Sequence, residues 1–387
     1  MDRRSFCVWS IGAVGGLAGD TAFSRAQPFD EIGATVSAKE CTAWLENRLL
    51  SADKLINLPA GTFKICRPLS LNGKSIRGSG ASLTEIIYTG PSESALFTFD
   101  CSPGTSVEIR DLTLIRAVSE GGTAISIKPS KACYFDSQRR VLIDNITFRG
   151  AKVTKSPAGW RSSPAWSTCI EVGDSWGCYI SRVDAIGGYD IQLPPSQSDG
   201  SVFLRTSALG GILSLRLTEV TVASFKVGVE IGSRTFFFIS DCDLAFCYDG
   251  IISTHGASDG FSEGRVRDTF INAQHVGVGL HHSSWRGLSG VAINRHKAGF
   301  KQGPWTGIYL QSATKTWIDK VRLQVDDSAG QFQSDNTGIF LDRCSDIDLS
   351  QIFFGTGINC GIKEVQCQRV SKINNHYLYP EVIDGCR

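Results

Sequence analysis

The chain has 387 residues, of which 39 are Lys or Arg and 38 are Asp or Glu, so its formal net charge is +1. This balance argues against a nucleic-acid partner, because such proteins carry a basic surface. A hydrophobic share of 42% with 20% charged residues excludes a disordered or collagen-like chain. No apolar run reaches the roughly 18 residues that a membrane-spanning helix needs, so we predict no membrane span.

The N-terminus has the pattern of an export signal. Arg3 and Arg4 precede an apolar, glycine-rich stretch from Cys7 to Gly19, and Ser24-Arg25-Ala26 has the small residues of a cleavage site. The paired arginines indicate the twin-arginine route, although the rest of that motif is incomplete. We therefore predict that residues 1–26 are a signal peptide and that the mature protein is periplasmic or secreted.

The cysteine content favours an oxidising compartment. The chain has 13 cysteines against one methionine. Removal of Cys7 with the signal leaves an even number, which fits disulfide pairing. The candidate partners are Cys41 with Cys66, Cys169 with Cys178, Cys242 with Cys247, and the set Cys344, Cys360, Cys367 and Cys386. The sequence leaves their connectivity open.

A degenerate repeat dominates the chain after residue 108. A six-residue signature with apolar residues at its first, fourth and sixth positions recurs every 21 to 37 residues. Its copies begin at Ile109, Ile143, Ile180, Leu217, Ile239, Val266, Leu288, Ile318, Leu349 and Val370. A second signature, glycine followed by alternating apolar residues, comes after it, as in Gly228-Val-Glu-Ile. Each interval holds about three short strands, which predicts an all-β, single-stranded, right-handed parallel β-helix of about ten coils.

The segment before the repeat carries a resemblance to a known family. Leu58-Pro-Ala-Gly-Thr-Phe63, Pro68-Leu69 and Ile76-Arg-Gly-Ser-Gly-Ala-Ser82 resemble the opening coils of the pectate-lyase superfamily. Upstream, a helix predicted from Ala38 to Leu50 presents an apolar face that includes Trp44. The resemblance implies that residues 27–57 form an N-terminal segment whose helix caps the β-helix of residues 58–387. It implies a carbohydrate partner but no single reaction, because the superfamily includes lyases, hydrolases, epimerases, esterases and phage tailspikes.

Loop lengths predict where such a partner binds. In the coils that begin at Leu217, Ile239 and Val266, the glycine follows 11 residues after the start, whereas the same connection is long in the flanking coils. We predict two walls beside a low floor of three coils, which together form a groove across the glycine-led strand. The tryptophans expected to stack on sugar rings there are Trp160, Trp166, Trp176, Trp285 and Trp305.

Register alignment of the three short coils predicts a ladder of polar side chains on the floor. Lys226, Tyr248 and His275 occupy one position on neighbouring strands, which lie about 4.8 Å apart. Asp249 occupies the next position, where its neighbours are valines. We predict that Tyr248 contacts substrate, together with two outward residues, His281 and Tyr309.

A glycoside hydrolase that cleaves a polysaccharide is the principal functional prediction. Such an enzyme usually needs two carboxyl groups, and Asp249 and Glu230 are the best pair on the floor, with Cα atoms about 11 Å apart. His275 or His281 then tunes the acid or binds a hydroxyl group. Asp249 also looks like the aspartate before strand one of polygalacturonase-type hydrolases, but the adjacent Asp-Asp pair and the Arg-x-Lys of that family are not recognisable.

Two alternatives stay open. A uronate polysaccharide lyase would use Lys226 as its base, with Arg234 or Arg265 nearby to neutralise the substrate carboxylate. A non-catalytic glycan-binding or tailspike-like protein would need neither carboxyl group. The available groove carboxylates, which include Asp259 and Glu263, are too few to predict the calcium site of some lyases. We therefore predict no metal and no cofactor, and the oligomeric state stays open.

A separate line of turn residues follows the repeat, two positions after each start: Asp111, Asn145, Glu219, Asp241 and Asp268. They resemble a catalytic array of carboxylates. Asn and Asp, however, favour turns with a left-handed backbone. We predict that this line is structural.

Overall fold

The computed structural model describes most of the chain between Ala38 and Tyr377. The described residues are 38–71, 73–99, 106–128, 140–156, 159–173, 175, 177–198, 200–207, 213–253, 260–284, 287–297, 299–300, 303–326 and 335–377. The predicted signal peptide, Trp176, Trp285 and Asp259 lie outside them. The proposed boundaries at residues 26 and 57 stay predictions.

One helix, α1 (Ala38–Leu50), precedes the strands and confirms the predicted helix. Its buried face includes Leu45 and Leu49, which join the core of the β-helix. The indole of Trp44 stacks on Phe63 of the first coil, with 6.0 Å between ring centroids. The apolar end of the core is therefore covered by the helix.

Thirty-one strands follow within the residues that the structure describes. The first group is β1 Leu55–Asn57, β2 Gly61–Ile65, β3 Leu69–Ser70, β4 Ser75–Arg77, β5 Thr84–Tyr88, β6 Ala95–Phe99, β7 Ser106–Arg116, β8 Thr123–Ile127, β9 Arg140–Gly150, β10 Lys152–Ser156 and β11 Gly159–Ser163. The central group is β12 Thr168–Val172, β13 Cys178–Ile186, β14 Val202–Thr206, β15 Leu213–Ala223, β16 Val227–Ile231, β17 Thr235–Ser240, β18 Asp243–Ser253, β19 Glu263–Arg267, β20 Phe270–His281 and β21 Gly287–Ser289. The last group is β22 Ala292–Arg295, β23 Trp305–Gln311, β24 Thr314–Asp319, β25 Arg322–Val325, β26 Asn336–Asp342, β27 Ser345–Ser350, β28 Phe353–Phe354, β29 Cys360–Val365, β30 Gln368–Ile373 and β31 His376–Tyr377.

Except for the antiparallel hairpin β10–β11, the strands stack in parallel as three sheets that form a right-handed parallel β-helix. Sheet A contains β1, β4, β7, β9, β13, β15, β17, β19, β21, β24, β27 and β30. In each coil, the segment that belongs to sheet B comes directly after the sheet A segment along the chain. Sheet C holds β3, β6, β8, β12, β14, β16, the ends of β18 and β20, β23, β26 and β29. The described part of sheet A thus has two strands more than the ten predicted, because β1 and β4 precede the first copy of the signature.

The predicted register is confirmed over most of sheet A. Ile109 pairs with Ile143, and the same column continues through the later starts to Leu349. The last start is wrong by two residues, because Val370 pairs with Ile347 rather than with Leu349. The repeat is weakest there, and its apolar spacing does not distinguish the two registers.

The line of turn residues is confirmed as structural. Asp111, Asn145, Glu219, Asp241 and Asp268 all have φ between 47° and 61°. These angles lie in the left-handed region, which Asn and Asp adopt more readily than most residues. Their side chains therefore belong to the corner between sheets A and B.

The glycine-led signature has a packing cause. A Cβ atom on Gly250 would lie 2.4 Å from the carbonyl oxygen of Gly277 and 2.5 Å from Cγ2 of Ile271. The same close approach recurs at Gly228, Gly277, Gly307 and Gly338, each against the backbone of the next coil. Only glycine lets neighbouring coils approach this closely at the start of each sheet C strand.

The long loops lie at the corner between sheets B and C. Hairpin β10–β11 extends along this corner until Gly159 packs against the ring of Phe246. The two predicted walls contact each other, because Phe300 of one wall donates its backbone N–H to the carbonyl of Ile191 of the other at 2.5 Å. The prediction of two separate walls is therefore wrong at this corner, because loops from both sides meet over the floor.

The structure contains no bond within two of the predicted cysteine pairs. Cys41, Cys66, Cys242 and Cys247 are thiols. The Sγ atom of Cys242 donates to the carbonyl of Ser240 at 3.1 Å, and that of Cys247 donates to the carbonyl of Ala245 at 3.6 Å. Burial raises the pKa of both Cys242 and Cys247 to about 12, which disfavours the thiolate needed for oxidation.

Candidate active site

Part of the polar ladder predicted on the floor is present. Val227, Asp249 and Val276 pair in register on sheet C. Tyr248 and His275 stand on the neighbouring strands β18 and β20, and Lys226 directly precedes β16. The glycine that follows each of these three positions faces the core, so the side chain of Asp249 faces outward. Correct register in a repeat fold therefore brings together residues that are more than 20 positions apart.

A carboxylate–imidazole pair is the centre of this site. Asp249 Oδ1 lies 2.9 Å from His275 Nδ1, and the same oxygen accepts the backbone N–H of Val276 at 3.1 Å. The Asp249 side chain is 14% exposed, whereas that of His275 is 41% exposed. An ionised carboxylate only accepts hydrogen bonds, so we assign the proton of the neutral imidazole to Nδ1. Nε2 of His275 is then the basic atom.

Two tyrosines pack beside the imidazole. The ring of Tyr248 stacks on His275 with 4.9 Å between centroids and an angle of 13°. Tyr189, which is 1% exposed, lies 6.1 Å from Tyr248. Burial, together with the charge of Asp249, raises the pKa of Tyr248, and burial, with Tyr248 and Asp249 nearby, raises the pKa of Tyr189. Both phenols therefore stay protonated at neutral pH and can donate a hydrogen bond.

The loops hold Tyr189 in place. Arg161 of β11 forms an ion pair with Asp190 at 2.5 Å, which ties the hairpin to the loop that carries Tyr189. Tyr189 and Ile191 form a small apolar cluster against Phe246 and Tyr248. The sequence prediction missed Tyr189, because only the loop lengths and not the loop contacts were available from the repeat.

Glu230, the predicted partner of Asp249 in a carboxyl pair, forms an ion pair with an arginine. It pairs in register with Ile252, one strand and three positions from Asp249, as predicted. Its Oε2 atom, however, lies 2.9 Å from Nε of Arg205 on β14, which is the neighbour of β16 on the side away from Asp249. This ion pair directs the Glu230 carboxylate toward Arg205, and the catalytic role of Glu230 stays a prediction.

A second group of predicted residues lies farther along sheet C. His281 Nδ1 lies 2.8 Å from Oε1 of Gln311, and its ring meets the edge of Tyr309 at 5.3 Å. Tyr309 stacks on Phe340 at 5.2 Å, and Nζ of Lys363 lies 5.1 Å from the Phe340 ring. The sequence prediction found His281 and Tyr309 but missed Phe340 and Lys363, which follow in the same outward column.

A glycine position lies between this aromatic strip and the Asp249–His275 pair. Ile252, Gly279 and Tyr309 pair in register, so the column has no side chain on the strand between the isoleucine and the tyrosine. Val276 and Ile252 border that position, and the strip and the pair line one face of sheet C. This is a suitable surface for a linear chain of sugar rings.

The tryptophan predictions have different outcomes. Trp160 is 45% exposed and lies under the amine of Lys155, at 5.2 Å, so it is available to a ligand. Trp166 and Trp305 are buried, and the prediction that they face a groove is wrong. Trp166 stacks on Tyr88 at 5.8 Å, and Trp305 donates its indole N–H to the carbonyl of Ala273 at 3.1 Å. Both indoles therefore pack in the core, where their large apolar area is removed from water.

Within the described residues, no three His, Cys, Asp or Glu side chains are grouped so that they could hold a metal ion. The single described helix is too short and too polar to cross a membrane. Two cavities lie away from the Asp249–His275 pair, one on sheet A and one beside the final strands of sheet B.

No protein-family model matches the sequence, and comparison with curated proteins gives no match. Solved structures do resemble the chain. The A-module of mannuronan C-5 epimerase AlgE6 from Azotobacter vinelandii is 14% identical, with 87% of this chain and 94% of that chain covered and a TM-score of 0.49. The family 28 exopolygalacturonase of Yersinia enterocolitica is 8% identical, with 89% and 76% covered and a TM-score of 0.42.

Tailspike protein 3 of bacteriophage CBA120 is also similar, at 10% identity, with 90% of this chain and 57% of that chain covered and a TM-score of 0.38. The likeness concerns the fold. The chemistry has to be argued from the residues of this chain.

Proposed function

We propose that this protein is an exported carbohydrate-active enzyme that cleaves a uronate-containing polysaccharide by β-elimination at the Asp249–His275 pair. The observation that carries the proposal is the 2.9 Å contact between Asp249 Oδ1 and His275 Nδ1. This contact leaves one basic nitrogen on a side chain that is 41% exposed. Acid–base catalysis requires such a positioned and accessible base.

The arrangement supports elimination better than hydrolysis. A glycoside hydrolase of the usual kind needs one carboxyl group to protonate the leaving oxygen and another to activate water or attack the sugar. Asp249 instead orients an imidazole, and Glu230 is directed toward Arg205. A histidine base beside a tyrosine donor needs no second carboxyl group.

The proposed reaction uses three residues of the ladder. Nε2 of His275 takes the proton from the carbon next to the uronate carboxylate, and the electron pair of that C–H bond forms a C4=C5 double bond. The C4–O bond breaks, and the leaving oxygen takes the proton of the Tyr248 hydroxyl group. Tyr248 recovers its proton from the His275 imidazolium through solvent, which restores both residues.

Lys226 supplies the positive charge in this scheme. It occupies the ladder position one strand before Tyr248, where its ammonium group can pair with the substrate carboxylate. Neutralisation of that carboxylate lowers the cost of the charge that develops on the adjacent carbon. Tyr309 and Phe340 offer ring faces to the sugars that follow along sheet C.

The first test is a spectrophotometric assay on purified protein with polygalacturonate, polymannuronate and a neutral glucan. A C4=C5 bond conjugated with the carboxylate absorbs ultraviolet light. We expect absorbance to rise with at least one acidic polymer and not with the glucan, and we expect Asp249→Asn to abolish the rise. New reducing ends without absorbance would support the glycoside hydrolase predicted from the sequence. Binding without new ends would support a glycan-binding protein. Either result would overturn the proposal.

A further inference from the structure

A second surface with carbohydrate-binding chemistry lies on the outward face of sheet A, away from the proposed active site on sheet C. Its residues occupy one outward column across six strands, and we call it the arginine–aromatic ladder: Tyr179, Arg216, Phe238, Arg265 and Trp317. Register pairs each with the next, and Gly287 stands between the last two. Aromatic rings and guanidinium groups therefore alternate along the axis of the β-helix.

The two guanidinium groups are ordered by aromatic rings. Cζ of Arg216 lies 5.7 Å from the ring centroid of Tyr179, and Cζ of Arg265 lies 5.3 Å from that of Trp317. A Cβ atom on Gly287 would lie 2.2 Å from the Trp317 indole, so glycine there lets the indole reach back toward Arg265. The ladder is thus continuous across β21, where Gly287 has no side chain.

The ladder is accessible. Four of its five residues, all except Tyr179, line an open cavity of about 550 Å³, together with Phe236 and Glu263. Tyr179 is 40% exposed and Phe236 is 38% exposed. Within the described part of the chain, neither Arg216 nor Arg265 has an ion pair with a carboxylate, so the surface has two uncompensated cations beside one acid.

We propose that the arginine–aromatic ladder binds an acidic polysaccharide, with sugar rings on the aromatic faces and carboxylate or sulfate groups on Arg216 and Arg265. Planar guanidinium groups match such anions in a bidentate way, and stacking on aromatic rings pre-orients them. The two arginines are two strands apart, about 10 Å, so one extended chain can contact both. A strip one side chain wide over six strands fits a linear polymer better than a globular partner.

The ladder and the active site are on different sheets, so this inference goes beyond the proposed function and can fail independently of it. A site of this kind would hold the enzyme on an acidic polymer while another part of that polymer is cleaved. The inference depends on binding alone and would hold for a protein without enzymatic activity.

The test measures the affinity of a homogeneous polygalacturonate oligosaccharide by calorimetry, with the Asp249→Asn protein as the parent so that no substrate is consumed. We expect Arg216→Gln with Arg265→Gln to weaken binding by roughly tenfold or more and to reduce its salt dependence. Arg322→Gln is the matched control, because Cζ of Arg322 lies 5.7 Å from the ring of Phe353 on sheet B. The control should bind within about twofold of the parent.

Three results would overturn the proposal: unchanged affinity in the double variant, equal loss in Arg322→Gln, or equally tight binding of a neutral oligosaccharide.

Sedimentation of the parent and the double variant tests whether a second copy of this chain occupies the ladder instead. If the parent is an oligomer that the double variant dissociates, the ladder is an interface between copies of this chain. Thermal unfolding of both variants identifies any loss caused by misfolding, and Arg216→Lys with Arg265→Lys then repeats the binding test with charge retained. Cleavage assays on the double variant report separately on the active site.

Discussion

Asp249 Oδ1 contacts His275 Nδ1 at 2.9 Å, although the two residues are 26 positions apart in the chain. The stacking of one coil on the next brings them together, since Asp249 pairs in register with Val276. The carboxylate also accepts the Val276 N–H, so its position is fixed by the sheet itself. A rigid β-sheet thereby holds an imidazole in one orientation toward the groove.

The pair should be essential for catalysis and dispensable for folding. Replacement of His275 by Ala removes the proposed base, and we expect kcat/KM to fall by about 10²–10⁴-fold. Asp249→Asn should cause a loss of the same order, because the retained imidazole loses both its orientation and its carboxylate partner. Both variants should unfold within a few degrees of the wild type, since the His275 side chain is 41% exposed and Asn keeps the size and the acceptor oxygen of Asp249. Full activity of His275→Ala would contradict the assignment.

Replacement of Glu230 distinguishes elimination from hydrolysis. In the proposed reaction it only holds Arg205, so Glu230→Gln should retain activity within about tenfold. In a two-carboxyl hydrolase the same change removes an acid or base and should cost several orders of magnitude. The measurement is kcat/KM on the polymer identified by the absorbance assay, with Arg205→Gln as the companion that breaks the same ion pair from its other side.

The buried and exposed tryptophans should respond in opposite ways. Trp166 is 2% exposed, so Trp166→Ala should lower the free energy of unfolding by about 3–5 kcal/mol. Trp160→Ala should leave stability almost unchanged and weaken polysaccharide binding, because this indole is exposed on β11. Denaturant unfolding and calorimetric binding of the two variants check this. Equal destabilisation by both changes would contradict the burial argument.

Asp144 should make stability depend on pH. Burial opposes its ionisation, but hydrogen bonds from Arg182 and Ser181 outweigh burial and lower the pKa of Asp144. A carboxyl with a lowered folded-state pKa adds stability above its unfolded-state pKa of about 3.9, and this contribution disappears as pH falls through the folded-state pKa. Asp144→Asn should therefore lose about 1–2 kcal/mol at pH 7 and little below the folded-state value.

Asp346→Asn is the control for this prediction. Its ion pair with Arg369 is on the surface, with 39% and 65% of the two side chains exposed. We expect a much smaller change in the unfolding midpoint at pH 7 than for Asp144→Asn, because exposed ion pairs contribute little. An equal loss in both variants at neutral pH would show that burial of Asp144 is unimportant.

The fold could be predicted because one physical pattern repeats along the chain. Apolar spacing determined the strands, and the left-handed turn at Asp111 and its equivalents set the register between coils. Stacked glycines such as Gly250 marked the start of each sheet C strand. The prediction failed at Val370, where exposed and half-buried residues replace the apolar pattern that distinguishes one register from the next.

The site residues could be predicted only where the register between coils alone determines which side chains are neighbours. Alignment of the short coils found Lys226, Tyr248, Asp249 and His275, because stacked strands bring equal positions together. It could not find Tyr189, whose position depends on how a long loop folds. It also could not show that Glu230 pairs with Arg205, because side-chain direction depends on nearby charges as well as on register.

The central claim is that His275 removes a proton and the chain then breaks without uptake of water. The most direct measurement is the mass of the products formed from one purified oligouronate. The account predicts two fragments whose masses add up to that of the substrate, one of them unsaturated, and none from His275→Ala. Fragments whose summed mass exceeds that of the substrate by one water would contradict it.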